Sequence, residues 1–173
     1  SSEGGGDIVT NQVLLGALSG AIIHAYSLND LSTSIEGPIE ANDSVNDIDK
    51  AGSFQLSLVD VEDEQWILVA VSGGLDIDAD DDGVVDASPV VNSGILYGLV
   101  QAADLRAGSV TINPLTDMVY SLVADDIEGK SASTIRQMLD AEANIILSSG
   151  VDDDWGRDYR DLLAFVPHEH KDK

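Results

Sequence analysis

The apolar period of this chain changes once, from two residues to 3.6, and the switch falls at Asn113-Pro114. A chain divided in this way must fold as a strand-built body followed by a helical segment. Before the switch, Gly20, Ile22, His24 and Tyr26 alternate with Ser19, Ala21, Ile23 and Ala25. Apolar character on both sides predicts a central strand over 18–26 that is covered on both faces. Residues 29–50 are rich in Asn, Asp, Ser and Gly around Pro38 and read as loop with one short edge strand at 35–39. Phe54, Leu56 and Leu58 alternate with Ser53, Gln55 and Ser57, the pattern of a half-buried strand. The continuous apolar run 66–71, stopped by Ser72-Gly73-Gly74, is the next strand, and 95–102 and 109–112 are the last two. Short strands separated by turn signals predict a β-sandwich over residues 16–112.

Past the switch, Asn113 is a good N-cap, Pro114 suits the first helical position, and Leu115, Met118, Val119, Leu122 and Val123 form one stripe. A second helix is expected over 132–147, with Ser131 as cap, Ile135, Met138, Leu139, Ala143 and Ile146 on one face, and Gly150 as its stop. A third carries Trp155, Tyr159, Leu162 and Val166, begun by Asp152-Asp153-Asp154 at the positive end of its dipole and closed by Pro167. These stripes are too short to stand alone, so the three-helix annex 113–167 must lie on the sandwich or on itself. Residues 1–15 read as a tether or pairing strand, and 168–173 as a polar tail.

The ionisable residues number 32 acids against 8 bases, a formal charge of −24, and 24 of the acids are Asp. Asp favours turns, caps and cation coordination, whereas Glu would favour helix surfaces. DNA, RNA and anionic membranes are excluded as partners, because each requires clustered Lys and Arg. The absence of cysteine removes disulfides, thiol nucleophiles, Cys-ligated zinc and c-type haem. Residues 8–29 carry no formal charge, but Asn11, Gln12, Ser19, His24, Ser27 and Asn29 interrupt them, so no transmembrane span is expected.

The most specific motif is Asp76-Ile77-Asp78-Ala79-Asp80-Asp81-Asp82-Gly83-Val84-Val85-Asp86. Alternating carboxylates, a glycine for a sharp turn and a further Asp three residues on can wrap oxygens around one hard cation, with Val84 offering a backbone carbonyl. Calcium, which takes six to eight oxygens, is the expected ion; magnesium sheds its water reluctantly and rarely sits in an all-protein cage. The candidate ligands are Asp76, Asp78, Asp80, Asp82, Val84 and Asp86. The other acidic groups, Asp60 to Glu64, Asp125 to Glu128 and Asp152 to Asp154, read as solvated turns or helix caps.

No catalytic pattern emerges. His24 lies mid-strand, His168-Glu169-His170 sits in the tail, and no G-x-S-x-G, G-x-G-x-x-G or P-loop is present. Trp66, Trp155, Tyr26, Tyr97, Tyr120 and Tyr159 would make a sugar platform if they faced solvent, although each fits a core stripe better.

Three fragments carry a family resemblance: Leu18 to Tyr26, Ala51-Gly52-Ser53-Phe54-Gln55-Leu56, and Ile67-Leu68-Val69-Ala70-Val71-Ser72-Gly73-Gly74. Together they resemble the carboxypeptidase regulatory-like, transthyretin-type domain of bacterial surface lipoproteins and adhesins, with Ala51 where that family usually has Asp. The run Asp78, Asp80, Asp82, Gly83, Asp86 resembles the calcium loops of thrombospondin type 3 repeats and dockerins, and the first half of an EF-hand. It departs from the EF-hand where Pro89 replaces the bidentate Glu. Ser1 to Gly6 resembles the polar tether that follows a lipoprotein's lipidated cysteine. The resemblance implies a Greek-key Ig/transthyretin-like sandwich in a secreted or surface-anchored bacterial protein, non-enzymatic, serving structure, adhesion or assembly. A protein partner or self-assembly is expected, including a filament built when 8–15 adds as a strand to a neighbouring copy. The alternative is a carbohydrate-binding or accessory module of a polysaccharide-degrading enzyme.

Overall fold

A computed structural model describes residues 11–13, 18–80, 82–108, 110–150 and 158–164. In chain order its elements are β1 (Asn11–Val13), β2 (Leu18–Ser19), β3 (Ile22–Ser27), β4 (Glu36–Glu40), β5 (Ser53–Phe54), β6 (Trp66–Ser72), β7 (Leu75–Asp76), β8 (Val90–Val91) and β9 (Ile95–Gln101). There follow α1 (Ala102–Ala107), β10 (Thr111–Ile112), α2 (Pro114–Val123), α3 (Ala132–Gly150) and α4 (Tyr159–Leu163). The fold is mixed: three sheets, two of them antiparallel throughout, supply the body, and helices supply most of the chain after β9.

The largest sheet is antiparallel in the order β4-β3-β6-β9, and its register puts His24, Ala70 and Tyr97 in one row across three strands. Because side chains alternate, Ile23, Ala25, Ile67, Val69, Val71 and Val100 share one face, and all six are fully buried. Gly98 lies on the same face, where an added Cβ would come within 2.3 Å of Ile112 Cδ1. The missing side chain is what lets β10 approach β9. A second sheet joins β2, β7 and β8, and a third joins β10, β1 and β5, with β1 parallel to β10 and antiparallel to β5. The strand expected over 18–26 is therefore split: the chain turns at Gly20, so β2 pairs with β7 while β3 enters the large sheet. Asn11–Val13, expected to tether or to pair, pairs inside its own chain.

The helices belong to the same core. One buried cluster runs from Ile23, Val69 and Leu99 through Val119, Ile135, Leu139 and Leu162. Trp66 Nε1 donates to the Ala132 carbonyl at 3.1 Å, and the Arg136 guanidinium lies 4.8 Å above the Trp66 ring. Asn113 caps α2 in a capping box with Thr116. The third helix starts later than expected, capped by Asp158; Asp152 to Asp154, Trp155 and Val166 lie outside the described residues, as do the tail and residues 1–10. Helix α1 was not foreshadowed by a periodic stripe, since its six residues bury only Ala102 and Leu105. Among the described residues no helix is long and apolar enough to cross a membrane.

A candidate cation site in the acidic loop

The loop that follows β7 is anchored by Ile77. Ile77 is fully buried in a small cluster with Ile48 and Ala51, against which Leu75 and Val85 pack. That anchor draws its neighbours in: Asp76 is 6% exposed and Asp78 is fully buried. A buried carboxylate must be hydrogen-bonded, and Asp78 accepts from the Asp82 amide at 3.1 Å and from the Gly83 amide at 2.9 Å. Gly83 adopts φ 81°, the left-handed region that a residue with a Cβ resists, and so completes this turn. Asp86 Oδ2 accepts from the Ala79 amide at 2.8 Å while its own amide donates to the Ile77 carbonyl, closing the loop. Asp82 Oδ1 takes the Val84 amide at 2.8 Å.

These bonds hold one oxygen each of Asp78, Asp80, Asp82 and Asp86 within 4.8 Å of one another. Two oxygens on a calcium sphere stand no further apart than twice the metal–oxygen distance, about 4.6–5.2 Å, so the four carboxylates could hold one metal ion. Asp76 is not in the converging set; its Oδ1 accepts the Asp78 amide at 3.0 Å and so braces Asp78. Val84 follows Gly83 at the exposed tip of the loop, and Asp81 lies outside the described residues. Burial pushes the Asp78 carboxyl up to about 6, with the Asp82 and Asp80 carboxyls adding to the rise and the Gly83 and Asp82 amides opposing it.

The sequence pattern marked the four carboxylates and the glycine. It carried no signal for the burial of Asp78, which follows from Ile77 inserting beneath the loop and from β7 pairing with β2 and β8. Of the aromatic residues, Trp66 and Tyr159 are buried as core stripes require, whereas Tyr26, Tyr97 and Tyr120 are only half-buried. Comparison with protein-family models, with curated proteins and with solved structures finds no match.

Proposed function

We propose that this chain is a non-enzymatic, calcium-stabilised structural module of a secreted or surface-anchored bacterial protein, serving adhesion or assembly. The convergence of Asp78, Asp80, Asp82 and Asp86 carries the reading. Four carboxylates crowded into one loop of a chain with charge −24 repel one another, and a divalent cation removes that cost. Calcium is favoured over magnesium because it accepts a flexible shell of carboxylate and carbonyl oxygens. Asp78, Asp80, Asp82 and Asp86 would bind through side chains and Val84 through its carbonyl, with Asp76 holding Asp78 in place. A sandwich of carboxypeptidase regulatory-like type accords with the strands flanking this loop, and a calcium-braced loop suits a rigid spacer.

The test is thermal melting in chelator and in saturating calcium. An ion that binds only the folded state adds RT ln(1 + [L]/Kd), about 2.7 kcal/mol at a hundredfold excess over Kd. Asp80→Ala should abolish that increment. Identical melting of chelator-stripped and calcium-loaded protein, with calorimetry detecting no bound ion, would sink the reading.

A further inference from the structure

The outer face of the four-stranded sheet carries a groove unrelated to the acidic loop. We propose that this groove binds a neutral oligosaccharide between His24 and Tyr26 on one side and Tyr97 and Tyr120 on the other. The His24 and Tyr26 rings lie side by side on β3, with centroids 6.4 Å apart and planes 27° from parallel. Across the sheet, Tyr97 of β9 meets Tyr120 of α2 at 5.6 Å. Ala70 stands between His24 and Tyr97 in the register, and its single methyl leaves the floor low. The groove measures about 400 Å³, within the about 300–1,000 Å³ range of small-molecule sites. Leu31 and Tyr120 also line a neighbouring cleft of about 890 Å³, so the two depressions adjoin; that cleft carries Glu64, Glu128 and Lys130, and sugar rings beyond the first would leave the uncharged groove for it.

The lining chemistry selects the ligand class. Among the described residues no Asp, Glu, Lys or Arg lines the groove. An anionic ligand finds no counter-charge there and meets a protein of charge −24, and a cation finds ring faces but no carboxylate partner. Tyr, His and Ser72 side chains both donate and accept hydrogen bonds, which a purely apolar ligand would leave unused. A neutral sugar satisfies both halves of the site. Its polarised C–H face suits the negative ring faces, and its hydroxyls suit the hydroxyl and imidazole groups. All four rings are half-buried, so each keeps an accessible surface.

The experiment titrates the intact chain with linear neutral hexasaccharides of glucose, mannose, xylose and N-acetylglucosamine. Hexagalacturonate and tetramethylammonium serve as anionic and cationic comparators, and every titration is run in chelator and in calcium. Saturable binding of a neutral hexasaccharide at about millimolar concentration or below is expected, with amide shifts in nuclear magnetic resonance spectra centred on His24, Tyr26, Ala70 and Tyr97. Tyr26→Ala and Tyr97→Ala should each weaken binding about tenfold or more, and Tyr26→Phe, which keeps the ring, much less. If Tyr97→Ala fails to fold, the shift map on the unaltered protein decides. Absence of saturation by every neutral hexasaccharide, shifts centred elsewhere, or preferential binding of either charged comparator would overturn the proposal.

Discussion

Metal-free protein should become less stable as the pH rises from 4 to 7, and Asp78 should account for a definable part of the loss. The carboxyl has a folded-state value of about 6 against 3.8 for an unperturbed group. Between those values the folded chain binds the proton and the unfolded chain does not, so this contribution is intact below the unfolded value and lost as pH rises through the folded one. At about 1.4 kcal/mol per pH unit across that interval the full loss is about 3 kcal/mol, with a slope near pH 5 of about −1 kcal/mol per unit. Urea unfolding in chelator across this range measures it, and Asp78→Asn supplies the reference because it cannot titrate. The variant loses one of the two oxygens that accept the Asp82 and Gly83 amides and shares most of the overall charge repulsion, so the difference in slope reports Asp78 together with its coupling to Asp80 and Asp82. Saturating calcium should reverse the trend. The ion requires the deprotonated carboxylate, so its stabilising increment should shrink as pH falls through about 6. Parallel pH profiles for the two proteins in chelator would refute the argument.

Two substitutions test the packing. Gly98→Ala places a methyl 2.3 Å from Ile112 Cδ1 and should destabilise by about 1–3 kcal/mol in urea unfolding. Adding Ile112→Val, which removes that carbon, should recover part of the loss. Tyr159→Phe removes the 2.7 Å hydrogen bond to the buried Leu99 carbonyl and should cost about 1–3 kcal/mol, with an unchanged far-ultraviolet spectrum.

The strands and the first annex helix were legible because local chemistry decides them. The apolar run of β6 and the capping chemistry of Asn113 need no distant partner. The strand expected over 53–58 shrinks to β5, and β7 and β8 carried no signal, because two residues hold no period and their existence depends on which strand lies alongside. The same limit applied to the site. Spacing placed Asp78, Asp80, Asp82 and Asp86 on one loop, yet which oxygens converge depends on amide donors at Ala79, Asp82 and Gly83. Tyr26, Tyr97 and Tyr120 pack against the core as their stripes predict, yet stay half-buried because each ring also borders the groove.

The packing of the helices also explains how the sheet ends its two edges. An antiparallel sheet with open edges invites pairing with another chain. On β4 the edge holds Pro38 between Glu36 and Glu40, a residue without an amide proton flanked by charge. On β9 the annex performs the same task with side chains. Asp117 accepts the Tyr97 amide at 3.1 Å, the Thr116 hydroxyl sits 3.0 Å from the Tyr97 carbonyl, and Tyr159 donates to the Leu99 carbonyl. These groups occupy the hydrogen-bonding positions that a further strand would need. The helices therefore close the sheet rather than hang from it, and the period switch at Asn113-Pro114 marks the point where the chain stops adding strands and starts sealing the last one. What α2 and α4 leave uncovered is the outer face around Ala70, where the groove lies.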